Sequence, residues 1–60
     1  MVQVKLFDCE HEKDLESEIN SFLKKIDEDN LIDIKFNVAT INEEQNEQIY
    51  CFSAMVIYNK

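Results

Sequence analysis

The stretch from Ile49 to Tyr58 most strongly restricts what this chain can fold into, because it is apolar on both faces that a strand would present. A strand of this kind is typical of the middle of a sheet or of an interface. Its alternate residues on one face are Tyr50, Phe52, Ala54 and Val56. Those on the other face are Ile49, Cys51, Met55 and Ile57. The remaining segments are therefore expected to cover this strand.

Two further segments alternate with the period of a strand. From Val2 to Phe7, apolar and polar residues alternate, except that Phe7 lies on the polar face with Gln3 and Lys5. From Leu31 to Ile41, apolar and polar residues alternate without interruption. The apolar faces consist of Val2, Val4 and Leu6 in the first segment and of Ile32, Ile34, Phe36 and Val38 in the second. Both segments are predicted to be amphipathic strands.

Between His11 and Asp27 the apolar residues recur with a helical period. They are Leu15, Ile19, Phe22, Leu23 and Ile26. Acidic residues dominate the first half and Lys24 and Lys25 follow near the end, as the helix dipole favours. Asp8 is the predicted N-cap, and Asn30 is predicted to end the helix in the left-handed conformation.

The chain contains no glycine and no proline, so its turns must use residues that tolerate a positive φ. Asn30, Asn42 and Asn46 are the candidates, and residues Asn42 to Asn46 are predicted to form a hairpin loop. Without glycine, the phosphate-binding loop, the dinucleotide fingerprint and the nucleophile elbow are all excluded. The common routes to nucleotide binding are therefore closed.

Together these segments predict a single α+β domain over residues 1–60, with the order β-α-β-β and a three-stranded sheet. A right-handed crossover leaves a gap between two parallel strands, and the antiparallel third strand fills it, giving the strand order 1-3-2. One helix packs on one face, where Ala54 allows Phe22 and Ile26 to approach. A slip of one residue in the register would exchange the two faces of the third strand.

One helix covers one face of the sheet, so the other face is predicted to be an apolar interaction surface. Its predicted residues are Phe7, Leu31, Ile49, Cys51, Met55 and Ile57. The leading hypothesis is a non-enzymatic protein-interaction module that binds a partner protein or forms a homodimer. A partly exposed sheet face without a partner is the alternative, since small domains expose much apolar surface.

The net charge of −7 arises from thirteen acidic residues and six lysines, and it disfavours binding to nucleic acid or to anionic membranes. A second hypothesis is an acidic decoy that occupies the nucleic-acid site of a basic protein through Glu12, Asp14, Glu16 and Glu18. The N-terminus lacks a basic region and a long apolar run, so no secretory signal is expected. We expect a cytoplasmic protein with reduced thiols.

Cys9, His11 and Cys51 are the residues that could hold zinc, but the paired cysteine spacing of zinc sites is absent. Cys9 with His11 as its base could form a thiol enzyme, although the surrounding carboxylates oppose a thiolate. The acidic run from Asp27 resembles the start of a calcium loop and lacks the required glycine and twelfth-position glutamate. We therefore predict no catalytic residue, no metal and no cofactor.

Three stretches of this sequence resemble the small acidic sporulation protein family of low-GC Gram-positive bacteria. They are residues 2–8, residues 10–15 and residues 48–58, which read VQVKLFD, EHEKDL and QIYCFSAMVIY. The resemblance extends over essentially the whole chain. It implies a bacterial host, a cytoplasmic location and expression in the mother cell under a sporulation sigma factor, although relatives also occur in species that do not sporulate. It implies no catalytic or binding residues.

Overall fold

The computed structural model describes residues 1–42 and 48–60 and shows three strands and a helix. In chain order they are β1 (Val2–Cys9), α1 (Glu12–Leu23), a short 3-10 turn (Glu28–Asn30), β2 (Leu31–Asn42) and β3 (Gln48–Asn59). The strand order is β1-β3-β2, and β3 is antiparallel to both neighbours. The predicted α+β architecture and strand order are confirmed. Apart from Asn42, which ends β2, the predicted loop 42–46 lies outside the described residues.

The register places the predicted set of β3 side chains toward α1. Ala54 pairs with Phe7 of β1, and the Phe7 ring lies against the ring of Phe22 in α1, with 5.9 Å between centroids. Phe22 also contacts Tyr58 edge to face at 5.1 Å. Leu15, Ala54 and Val56 are buried, with exposed fractions of 2%, 5% and 0%. Ala54 is thus buried on the helix side, as predicted, whereas the predicted approach of the helix through Ile26 is wrong because Ile26 lies beyond the end of α1.

Both ends of α1 differ from the prediction. Asp8 lies within β1, because the strand continues to Cys9, and the N-cap is His11 in an extended conformation with φ −125° and ψ 133°. The helix ends at Leu23, since Lys24 remains in the right-handed region at φ −68°. Asn30 belongs to the 3-10 turn, so its predicted left-handed helix cap is wrong. The strand pairing of Asp8 and the extra turn before β2 outweigh these local capping preferences.

The sheet is much longer than the part that β1 and α1 cover. β1 ends where Cys9 pairs with Phe52, so β3 pairs with β2 alone from Gln48 to Cys51. The principal extents are 47 × 18 × 10 Å, and the radius of gyration is 13.9 Å. A compact chain of this length has a radius of gyration of about 10 Å. β3 is therefore central only from Phe52 to Asn59.

Candidate interaction surfaces

The face of the sheet opposite α1 carries an apolar surface that we call the helix-free face. It is formed by Val2, Val4 and Leu6 of β1 and by Met55 and Ile57 of β3. The β1 side chains are exposed by 60%, 52% and 66%, whereas the β3 side chains are half-buried between their neighbours. Val4 pairs with Ile57 and Leu6 with Met55, which makes the surface continuous across two strands.

The structure places four of the six predicted interaction residues on this side of the sheet. Ile49, Cys51, Met55 and Ile57 alternate with the helix-facing residues of β3 and are half-buried. Ile49 and Cys51 lie on the part of the strand beyond β1. The predicted division of β3 side chains between the two faces therefore agrees with the register from Ile49 to Ile57, and their role in binding stays a prediction.

Phe7 and Leu31 lie on the helix side, so their predicted place on the helix-free face is wrong. Phe7 shares a face with Ala54 and packs against Phe22. Leu31 pairs with Tyr58 and lines a groove with Leu23 and Ile26 at the end of α1. Packing of the half-buried Phe7 ring against Phe22 stabilises this orientation of β1, because aromatic side chains bury large apolar areas.

Val2, Val4 and Leu6 belong to the helix-free face, and the sequence reasoning missed them. The alternation of β1 correctly grouped them on one face, but it assigned that face to the core. The sequence feature that could have identified them is the aromatic Phe7, which shares its face of β1 with Cys9 and marks that face as the one toward the helix. Cys9 pairs with Phe52 and is half-buried on the helix side.

The helix-free face is bordered by one ion pair, Lys35 with Asp33, and by the exposed carboxylate of Asp8 beside Leu6. The Lys35 Nζ and the Asp33 carboxylate of β2 are 3.2 Å apart, and their partners in β3 are Met55 and Ile57. The Ile34 backbone N–H also donates to Asp33 Oδ1 at 2.8 Å. The lysine hydrogen bond, followed by this backbone hydrogen bond, lowers the pKa of Asp33 from its ordinary value.

A hollow of about 430 Å³ lies beside the exposed Leu6 side chain. Ser53 lies at its centre, and the Ser53 hydroxyl donates to the Asn37 carbonyl oxygen at 3.4 Å. The larger side chains of Leu6, Met55 and Lys35 border it. The helix-free face therefore has both a protruding apolar side chain and a recess next to it.

The helix side of the hairpin carries a second uncovered apolar surface, which we call the hairpin strip. It consists of Ile34, Phe36 and Val38 of β2 and Tyr50 and Phe52 of β3. Phe52 stacks on both Phe36 and Tyr50, with centroid distances of 6.5 and 6.2 Å. α1 packs mainly against β1 and β3, so Phe36 remains 61% exposed and Val38 44%. The predicted apolar face of β2 is thus correct for Ile34, Phe36 and Val38, whereas Ile32 falls at the register shift between Leu31 and Asp33. The helix does not cover this face.

The residues considered for zinc binding or thiol chemistry are separated. The Cys9 thiol donates to Glu18 Oε2 at 3.3 Å on the helix side, whereas Cys51 lies on the opposite side of the sheet. Desolvation, the Glu18 hydrogen bond and the nearby carboxylates raise the pKa of Cys9 to about 11. Within residues 1–42 and 48–60, no three potential ligands cluster as a metal site would require. Cys9 is therefore a protonated thiol at neutral pH.

The four acidic residues of the decoy hypothesis are all exposed on α1. The helical period of 100° per residue places Glu12 and Glu16 on the flank toward the hairpin strip. Asp14 and Glu18 lie toward β1 instead, where Glu18 binds Cys9. The four carboxylates therefore form two separate pairs.

No helix among the described residues has the length and apolarity to cross a membrane.

Comparison with known proteins gives one consistent result. The family model described as sporulation protein Cse60 matches residues 1–60. Sporulation protein cse60 of Bacillus subtilis strain 168 is 57% identical over 60 residues, which cover the full length of both chains. No solved structure shows a significant match. The chain belongs to the Cse60 family of sporulation proteins, as its resemblance to the small acidic sporulation proteins predicted.

Proposed function

We propose that this protein is a non-enzymatic protein-interaction module of bacterial sporulation that self-associates in the cytoplasm through the helix-free face. The observation that carries the proposal is the exposure of Val2, Val4 and Leu6 on a sheet face that no helix covers. The sporulation setting rests on the family and on the name of the Bacillus subtilis relative.

The surface area of the chain supports an assembly of two copies. The chain exposes 5018 Å², whereas a compact monomer of 7.1 kDa exposes about 4,100 Å². The excess of roughly 900 Å² is close to the ~800 Å² that each partner buries in a standard interface. Among the described residues, three buried apolar side chains form a small core, and domains of this size commonly gain stability by oligomerisation.

The distribution of charge favours a back-to-back arrangement of the two copies. Each copy carries a net charge of −7, but the acidic residues of α1 lie on the side away from the helix-free face. Asp33 and Lys35 at the border of that face neutralise each other. Two sheets can therefore meet with both acidic helices outside, in a layered α-β-β-α dimer.

Leu6→Glu tests this arrangement by placing a charge on the helix-free face, at its most exposed apolar side chain of β1 beside the hollow. A two-fold interface buries Leu6 twice, so we expect dimerisation to weaken at least about a hundredfold. Sedimentation equilibrium over a series of concentrations measures the change. Circular dichroism checks that the fold is retained.

Phe36→Glu is the matched control, because it introduces the same charge at a residue of similar exposure on the opposite side of the sheet. It should leave the dimerisation constant within about twofold, as expected for a surface substitution away from the interface. A monomeric wild-type protein, or a dimer that resists Leu6→Glu, would contradict the proposal. Loss of the dimer on Phe36→Glu alone would assign the interface to the hairpin strip.

The acidic decoy receives less support from the structure. Glu12 and Glu16 are separated from Asp14 and Glu18 by the width of α1. The outermost side of the helix instead carries Lys13, Ser17 and Lys24 at the spacing of helical turns. Four carboxylates on one continuous face would be needed to follow a phosphate backbone.

A further inference from the structure

We infer that the hairpin strip is a second binding surface, which takes an amphipathic helix of another protein with lysine or arginine residues along one side of its apolar face. This surface lies on the opposite side of the sheet from the helix-free face. It is therefore independent of self-association. Three features support a helical basic partner: the stacked rings of the strip, the glutamates beside it and the charged side chains on the edge of β2.

The strip offers an apolar platform suited to side-chain packing. Phe36, Phe52 and Tyr50 form a row of stacked rings along the hairpin. Ile34 and Val38 flank the row and are exposed by 39% and 44%. Aromatic side chains of this kind provide most of the binding energy in protein interfaces, because they bury a large area with few rotatable bonds.

The charge beside the strip selects a basic partner. A recess of about 740 Å³ separates the start of α1 from Tyr50 and Phe52. Its charged lining residues are Glu10, Glu12, Asp14 and Lys13, so the acidic groups outnumber the basic one. Glu16 lies one turn beyond Glu12 along the same flank of the helix. Among the described residues, the ion pair found is that of Lys35 with Asp33, so both glutamates lack a lysine partner. A Lys or Arg side chain along the partner helix would relieve the repulsion between them.

The same charge disfavours a second copy of this chain on the strip. Two copies joined through their hairpin strips would bring both pairs of glutamates together, and each chain already carries a net charge of −7. Opposite charges across an interface speed association and set the choice of partner, whereas like charges in contact oppose it. A basic partner fits the strip, and an identical acidic chain does not.

The neighbouring edge of β2 favours packing on the face over the addition of another strand. The Ile34 N–H already donates to the Asp33 carboxylate at 2.8 Å, and Lys35 lies beside it. Charged side chains on an edge strand are a common protection against strand pairing. α1 shows how this sheet binds a helix, because Leu15 and Phe22 of one apolar stripe pack on β1 and β3. The hairpin strip, on β2 and the start of β3, presents a similar apolar surface beside α1.

Binding of a designed peptide tests the inference. The probe is a fluorescently labelled helix of about four turns, with leucine on one face and lysine on the other. We expect it to bind the full-length protein, as measured by fluorescence anisotropy, and to bind less tightly as NaCl rises. A peptide of the same design with glutamate in place of lysine should not bind.

Two pairs of variants separate this surface from general attraction to an acidic protein. Phe36→Ser should weaken peptide binding at least about tenfold, whereas Leu6→Glu should leave it within about twofold. The double variant Glu12→Gln/Glu16→Gln should weaken it about fivefold. Asp8→Asn/Glu18→Gln makes the same change of charge on the β1 side and should change binding by less than twofold.

Three results would overturn the inference. Equal weakening by the two double variants would show attraction to net charge without a site. Equal binding of the glutamate peptide would exclude the selection of a basic partner. A shift of the wild-type dimer to monomer on Phe36→Ser would show that a second copy covers the strip. Leu6→Glu reports on the helix-free face separately, so failure of one surface is distinguishable from failure of the other.

Discussion

The thiol of Cys9 shows how the neighbours of one side chain set its chemistry. Cys9 is half-buried between β1 and α1, and its proton is shared with the Glu18 carboxylate. A negative charge on the sulfur would lie close to Glu18, Asp14 and Asp8, and this together with desolvation raises the pKa. The sequence predicted the opposing effect of nearby acids. It did not identify Glu18, which is nine residues away and meets Cys9 only when α1 docks.

Glu18→Gln should lower the pKa of Cys9 from about 11 toward the ordinary value of 9.0, because it removes a charge and weakens the hydrogen bond. In a Cys51→Ser background, we expect faster alkylation of Cys9 by iodoacetamide at pH 9. The fraction of thiolate in the parent protein is only about 1% at that pH.

Glu16→Gln is the matched control for this measurement, since it makes the same charge change on the other flank of α1. Equal acceleration by both variants would contradict a specific role of Glu18.

The raised pKa of Cys9 also makes the stability of the fold depend on pH. The folded protein holds the Cys9 proton more tightly than the unfolded chain does. The resulting contribution to the free energy of unfolding is therefore complete below pH ~9 and is lost as the pH rises through ~11.

At the scale of elements, the start of α1 lacks a side-chain cap. The His11 side chain makes no capping hydrogen bond, although its backbone has the extended conformation of an N-cap. The first turn contains Glu12 and Asp14, which interact favourably with the helix dipole. Packing of Leu15 and Phe22 therefore does much to hold the helix in place.

His11→Ser should stabilise the protein, because a serine hydroxyl can accept a hydrogen bond from a free N–H of the first turn. We expect the free energy of unfolding to rise by about 0.5–1 kcal/mol in urea titrations at a fixed protein concentration. Glu10→Ser changes the preceding residue, which cannot cap, and should bring no gain. A gain of the same size from both variants would show that serine acts through another effect.

The periods of the elements were predictable from the sequence, whereas their ends and orientations were not. Alternation identified β1, β2 and β3, and the helical spacing identified α1. The end of α1 depends on the turn that leads into β2, which begins at Leu31 and pairs there with Tyr58. The orientation of β1 depends on Phe22, which is distant in sequence from Phe7. Local propensity contains neither contact.

At the scale of the whole molecule, net charge and shape act in opposite directions on self-association. Each copy carries a charge of −7, so two copies repel one another at low ionic strength. The elongated sheet, 47 Å in its longest extent, nevertheless leaves apolar area that a single copy cannot cover. Salt screens the repulsion and leaves the apolar contact largely unchanged.

Self-association should therefore strengthen as NaCl increases, whereas binding of the basic peptide should weaken. Sedimentation equilibrium at low and high salt measures the dimer. Glu12→Gln/Glu16→Gln lowers the net charge from −7 to −5 and should reduce the dependence of the dimer on salt. A dimer that weakens with salt would indicate an interface held by ion pairs, contrary to the apolar helix-free face.

The sequence by itself determined the three strands, the helix, the strand order and the division of β3 into two apolar faces. These follow from residue periods and from the two-sided apolarity of Ile49–Tyr58. The register of the sheet decided which of those faces meets the helix. Only the tertiary structure decided that Phe7 packs inward, that Val2, Val4 and Leu6 face outward, and that β2 extends beyond the cover of α1. A period states which side chains share a face. Contacts between distant elements decide which face is covered, because one helix can bury only part of a long sheet.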